Sequence, residues 1–535
     1  MAIFDLQVLC MKRSLFALCI LLTTVAIAQP PATDVLHYKF QLKLSDNSDS
    51  ISGQATIRVK WLQSGDGLVL DLKGADAKTG KGMKARLTGA QPYTLTQQGD
   101  KLIIRSKQSI AAGEEREITI LYSGVPADGL IISKNTYGDR TFFADNWPNR
   151  AHNWIPCVDQ PNDKASVEFL VTAPEHYRVV SNGKLLTDTI VDKGWRFTHW
   201  QEKVPLPTKV MVIGVARFAV EEAGKAGKVP VSSWVFPQNK ESGFANYKKA
   251  VDVLNFFIDY IGPYAYEKLA NVQSKTIFGG MENASAIFYY EESAIGIHSE
   301  EGLIAHEIVH QWFGNMATEE NFSHLWLSEG FATYLTHLYL GKQYGPDSLT
   351  NGLAKDRERV VAFARRSKQP VIDSLSPYME LLNENSYQKG SWVLHMLRQQ
   401  TGDELFQRII RQYYKEYGGK NARTEDFVRV AEEVSKLSLK NFFQQWLYRA
   451  GVPVLSVKWN YDEAAKKILL TVKQQQEQLY TFPMEFAVMD DERRLALRKF
   501  DISQRTQSYS IEVSAKGKIT LVADPDVKLL FAREK

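Results

Sequence analysis

His306-Glu307-Ile308-Val309-His310, followed by Trp326-Leu327-Ser328-Glu329-Gly330, is the part of this chain from which the rest is read. On an α-helix, residues i and i+4 lie on one face about one turn apart, so the imidazoles of His306 and His310 can reach one ion. Two neutral histidines and a carboxylate suit Zn²⁺. Three protein ligands leave a fourth position for water, whose pKa the metal lowers to about 7. Glu307 is offset by roughly 100° around the helix, which suits a base beside the metal rather than a ligand on it. A bare H-E-x-x-H also arises by accident in a core helix; the glutamate that follows after eighteen residues argues against accident.

The flanks read as helix. Ser299 can cap the start, and Glu300 and Glu301 fall in the first turn, where the helix dipole favours acids. Leu303, Ile304, Ile308, Val309, Trp312 and Phe313 supply apolar packing, and Gly314-Asn315 is a stop signal. From Leu325 to Leu340 apolar residues again recur at helical spacing, with Gly341 ending the run. Eighteen residues suffice to finish one helix, turn, and bring a second alongside. Buried charges of this kind need a compensating ion or partner.

Further out, 535 residues are too many for one ordinary domain. Hydrophobic content of 44% with 24% charged residues describes a soluble globular protein. A net charge of +4 argues against a dedicated nucleic-acid surface. Residues 1–28 read as a secretory leader, better from Met11 than from Met1. Lys12-Arg13 is basic, Leu15 to Val25 is mostly apolar, and Ala26-Ile27-Ala28 is a cleavage site before Gln29. The expected location is periplasmic or extracellular, without a stable membrane anchor. Beyond the leader only Cys157 remains, so no internal disulfide forms, and Cys157 reads as packing.

Residues 29–225 read as an antiparallel β-domain. Tyr38, Phe40, Leu42 and Leu44 alternate with polar residues, as do Ile57, Val59 and Trp61, and Ile118, Ile120 and Tyr122. Residues 226–450 read as mostly helical, with patterns over 346–366, 386–400, 403–417 and 424–448. After Gly451-Val452-Pro453, residues 451–535 return to short strands at 454–461, 467–474, 484–490, 509–514 and 518–523. The fold class is therefore multidomain α+β. Lys355-Asp356-Arg357-Glu358-Arg359 reads as an exposed helical face of alternating charge, and the histidines outside the motif as structural or surface.

Phe278-Gly279-Gly280-Met281-Glu282-Asn283 is the third chemical stretch. Paired glycines allow a ligand to approach the backbone, and the glutamate could hold a cation; a glycine-rich turn with a solvated acid fits equally. Gly279-Gly280-Met281-Glu282-Asn283, His306-Glu307-x-x-His310 and Glu329 together resemble the M1 family of zinc aminopeptidases. Further matches are His310-Gln311-Trp312-Phe313-Gly314-Asn315, Trp326-Leu327-Ser328-Glu329-Gly330-Phe331-Ala332 and Pro156-Cys157-Val158-Asp159-Gln160-Pro161. The resemblance implies a thermolysin-like catalytic domain between the N-terminal β-domain and a small C-terminal β-sandwich.

It also implies roles. One Zn²⁺ per chain would be bound by His306, His310 and Glu329, with Glu307 activating the bound water. Glu282 would hold the free α-ammonium of a peptide substrate. Gly279, Gly280, Met281 and Asn283 would line it as an added strand, and Tyr387 would hydrogen-bond the oxyanion. Without the resemblance, Tyr387 reads as core packing. Asp145 stands where relatives often place a second amine-binding residue, and reads equally as the cap of a turn. An epoxide hydrolase, a metalloendopeptidase and a non-catalytic scaffold are the rival readings. The first lacks an acid eight residues before Tyr387, where Met379 stands. Glu282 opposes the second, and the intact ligand set opposes the third.

Overall fold

The computed structural model describes residues 31–89, 91–514 and 517–534; the expected leader, residues 1–28, lies outside them. The alternating stretches form the strands that their period demands. Thr33–Lys43 and Ile51–Trp61 pair in register, and Tyr38, Phe40, Ile57 and Val59 turn inward to full burial. They lie inside a seven-stranded sheet that runs from Lys184–Asp192 at one edge to Gly82–Leu87 at the other. The sheet is not purely antiparallel as expected, because Thr33–Lys43 runs parallel to Lys164–Pro174. A three-stranded and a four-stranded sheet complete this N-terminal part around one hydrophobic core.

The strand Ala219–Ala226 spans the expected boundary at residue 225 and belongs to the next sheet. It pairs with Val229–Val235, which continues through Leu269–Gln273 and Ala286–Tyr289 to Gly280–Met281. Gly280–Met281 is therefore an edge strand with its outer side unpaired by backbone. α1 (Lys240–Tyr247) and α2 (Ala250–Tyr260) pack on this sheet and α3 (Glu301–Val309) on its edge strand; α4 (Trp326–Tyr344) packs on α3, α5 (Pro346–Arg366) and α6 (Gly390–Thr401) on α4, and α7 (Asp403–Tyr417), α8 (Thr424–Ser435) and α9 (Lys440–Leu447) beyond α6.

Helix boundaries depart from the expectations for identifiable reasons. α3 has Glu300, not Ser299, at its N-cap, and it ends at Val309 with His310 as C-cap, ahead of the Gly314 stop. Beyond it the backbone folds back, with the Asn315 N–H donating to the His310 carbonyl. α4 runs through Gly341 and stops at Gly345, where φ is +96°. Gly341 is a glycine because Leu349 of α5 lies 2.9 Å from where its Cβ would be. The pattern over 424–448 is two helices, broken at the left-handed Lys436; the Glu432 side chain accepts from the N–H groups of Leu439 and Lys440 at the second start.

The C-terminal part is a sandwich of a four-stranded and a three-stranded sheet. Arg493–Ile502, too charged to read as a strand, pairs along Phe482–Asp490. Its core is continuous with that of the helical part. Arg357 on α5 fastens the junction by pairing with Asp524 and donating to the Leu529 carbonyl.

Candidate metal centre and substrate cleft

α3 and α4 bring the expected ligands together. His306 Nε2 and His310 Nε2 lie 3.1 Å apart, and Glu329 Oε2 lies 3.2 Å from the first and 3.3 Å from the second. Donors at ~2.0–2.1 Å from a tetrahedral Zn²⁺ span edges of about 3.3 Å, so this triangle fits that ion. His310 is fixed from behind. Its Nδ1–H donates to the Phe313 carbonyl at 3.1 Å, and the Ser328 hydroxyl stands 3.0 Å from the same nitrogen. That leaves Nε2 as the free ligand atom, the usual outer-shell arrangement of a metal histidine.

The field of the site calls for a cation. Glu282, Glu307 and Glu329 are all buried within it. Burial opposes charge on His310, but Glu329 and Glu282 outweigh it and raise this imidazole to about 10. Burial lowers His306. Burial would raise Glu329, yet His310 and His306 hold it well below the ordinary carboxylate range. Burial pushes Glu307 well up, opposed by His310 and reinforced by Glu282 and Glu329. A divalent ion would occupy the place of the proton that these groups otherwise hold.

Gly280 on the edge strand is a glycine for a local reason. A Cβ there would overlap the carboxylate of Glu307, so Glu307 packs directly against bare backbone. Glu282 lines the same cleft, and its backbone carbonyl is held by Gln311 Nε2 at 2.9 Å and Asn315 Nδ2 at 2.7 Å. The segment Gln311–Asn315 that follows the metal helix thus positions the acidic residue. Tyr387 lies in a single π-helical turn, Asn385–Lys389, and its ring stacks on His306 with centroids 5.9 Å apart. Gly330 and Gly390 let α4 and α6 meet backbone to backbone, which brings this turn beside Glu329.

Two expected substrate contacts are corrected. Asp145 is fully buried and does not line the cleft; its carboxylate pairs with Arg150 at 2.7 Å and accepts from Thr276 Oγ1 and the Ile277 N–H. It supports the loop that leads into Phe278. Asn283 is likewise buried behind the cleft wall. Gly279, Gly280 and Met281 do line the cleft, which has a volume of about 450 Å³.

Residues missed in the sequence complete the wall: Trp147, Thr333, Thr336, His337, Asp356 and Arg359. Thr333 and Thr336 stand four and seven residues after Glu329, on its own helix face, which is the signal that could have found them. Asp356 is buried against His337, not solvated as expected.

A helix pair that closes two imidazoles and a carboxylate on one point, under an edge strand, defines the H-E-x-x-H class of metal-dependent hydrolase folds. Within that class the family follows from two matches. Residues 34–210 match the Peptidase M1 N-terminal domain and residues 245–446 the Peptidase family M1 domain; the chain belongs to peptidase family M1.

Glutamyl aminopeptidase of Mus musculus is 27% identical, covering 93% of this chain and 56% of its own length. Aminopeptidase M1-C of Oryza sativa subsp. japonica is 32% identical over 58% of this chain and 37% of its own length. The chain spans about half the length of the curated relatives it matches. The M1 zinc metallopeptidase of Deinococcus radiodurans shares the fold, with a TM-score of 0.67 at 21% identity, covering 78% of this chain and 94% of that one.

Proposed function

We propose that this chain is a zinc-dependent aminopeptidase that removes the N-terminal residue from peptides with a free amine. The observation that carries this is the buried Glu282, directly after the edge strand, its backbone fixed by Gln311 and Asn315 next to the two-histidine, one-glutamate group. A carboxylate held there has an ammonium as its natural partner. Its fixed position relative to the metal ligands measures one residue in from the chain end.

When bound, zinc polarises the scissile carbonyl and makes water a competent nucleophile at neutral pH. The chain's own groups do the rest. The open side of Gly280–Met281 receives the peptide as an added strand. Glu307 takes the proton of the attacking water and hands it to the leaving amine. Its position against Gly280 keeps its carboxylate at the cleft floor. Tyr387 donates its O–H to the developing oxyanion. Burial and the carboxylates Glu329, Glu282 and Glu307 push its pKa well up, so it stays a donor across the neutral range.

Aminoacyl chromogenic substrates, free and N-acetylated, with and without chelator, test the reading. Turnover confined to the free-amine set and abolished by chelator is expected; comparable turnover of acetylated substrates would refute it. We also propose export through residues 1–28, on the strength of the basic, apolar and small-residue order there. The N-terminus of the exported protein should then read from Gln29. An uncleaved chain retained in the cytoplasm would contradict this.

A further inference from the structure

The cleft continues past the metal group in a definite direction. Gln311, after the C-terminal end of α3, holds the Glu282 backbone, whereas Gly302 and Leu303, near the N-terminal end of that helix, line the opposite end of the cleft. The edge segment follows the same course: Gly279 lies by Leu303, Gly280 by Glu307, and Glu282 by Gln311. A peptide anchored by its amine at Glu282 and paired antiparallel to this segment must run toward Leu303. α4 runs back along α3, with Glu329 at His306 and Tyr339 at Glu301, so Thr333, Thr336 and His337 stand toward that end, and Asp356 and Arg359 of α5 line the cleft with them.

That end holds positive charge that the fold itself does not use. Arg359 lines the cleft from α5 and, among the described residues, forms no ion pair or hydrogen bond. The nearby acid, Asp356, is engaged by His337 at 2.7 Å, and Gly352 leaves the room that the His337 ring fills. Arg359 itself is exposed, and Thr336 on α4 stands at the cleft wall, mostly buried. Arg357 ties α5 to the C-terminal domain, so Arg359 is presented from a fixed element. A free, solvent-facing guanidinium at one end of a cleft suits a carboxylate.

We infer that Arg359 forms a carboxylate-binding subsite for the downstream part of the substrate, resting on the aminopeptidase reading above. Thr336 stands seven positions after Glu329 on α4, or roughly 10 Å, about three extended residues. The carboxylate is thus the C-terminus of a tri- or tetrapeptide, or an acidic side chain about three residues downstream of the cleaved bond.

The test reads binding, not turnover. In the Glu307→Gln zinc-loaded protein, calorimetry compares tetra-alanine, its C-terminal amide, and a longer amidated peptide with glutamate at the third downstream position. The free acid should bind about tenfold tighter than the amide, as expected for one charge-assisted contact. Arg359→Ala should bring that ratio to about one, and Arg359→Lys should restore part of it. Tighter binding of the glutamate peptide than of an alanine control assigns the side chain as a second source of the same group. Equal affinity for acid, amide and glutamate peptide would overturn the subsite. Wild-type turnover of a simple aminoacyl anilide, which has no downstream carboxylate, decides the aminopeptidase reading separately.

Discussion

Glu307 and Gly280 meet without a side chain between them, and that contact ties the base to the strand that would carry the substrate. Glu307→Gln should therefore keep its metal, because the residue is not a ligand, and lose at least ~10²-fold in kcat. Zinc content by atomic absorption together with kcat checks both halves. Gly280→Ala tests the contact itself. The new methyl meets the flexible end of Glu307, so the fold can yield cheaply while the base moves. We expect kcat to drop by about tenfold or more with melting temperature nearly unchanged, since small displacements of a reacting group are costly. A variant of full activity would show that Glu307 has no fixed working position. At this scale the sequence was informative where chemistry restricts residue type. His306, His310, Glu329 and Glu307 could be placed from spacing alone. Asp145 could not, because its partner Arg150 and the loop at Thr276 meet it only in the fold.

Among the elements, the α4–α6 crossing decides where Tyr387 stands. Gly330 and Gly390 approach until a Cβ on Gly330 would lie 2.9 Å from Gly390 backbone. Gly330→Ala gains about 1 kcal/mol of helix propensity but must push two backbones apart, at a cost of ~1–3 kcal/mol. Net destabilisation, with kcat reduced through Tyr387 and Glu329, is expected; urea denaturation alongside kinetics reads it. A stabilised, fully active variant would mean that the crossing is not tight. Helices α4 and α5 were legible from periodicity, and their junction was not. Gly341 resembles a stop in sequence, yet its role is to admit Leu349. The charged run at Lys355–Arg359 likewise conceals three separate fates: Asp356 buried on His337, Arg357 tied to the C-terminal sandwich, and Arg359 at the cleft.

For the whole molecule, the metal group joins two helices of a core that continues into the C-terminal sandwich. Removing zinc should lower the melting temperature of that part, by the equivalent of about 4 kcal/mol at a thousandfold excess over Kd. Scanning calorimetry with chelator and with zinc restored measures it. Zinc affinity should also depend on pH. The carboxylates, outweighing burial, hold His310 protonated up to about 10 in the metal-free protein, and a ligand must be neutral. Each metal ion then expels a proton, so affinity rises about tenfold per pH unit between roughly pH 7 and 9. The same raised value stabilises the metal-free fold fully below the unfolded histidine pKa near 6.5. That contribution fades as pH climbs through about 10. Titrations in buffers of different ionisation heat count the protons, and a count of zero would contradict the electrostatic account.

By itself the sequence determined the His-Glu-x-x-His helix with its downstream glutamate, the order β then α then β, and the family resemblance, because each rests on local spacing or periodicity that the chain carries wherever it folds. Only the tertiary structure decided that Asp145 is a support, that Gly280 makes room for Glu307, and that Thr336 and Arg359 line the cleft. Those facts depend on which distant segments touch. Contact between segments far apart in the chain is fixed by packing and burial, which no short window of residues encodes.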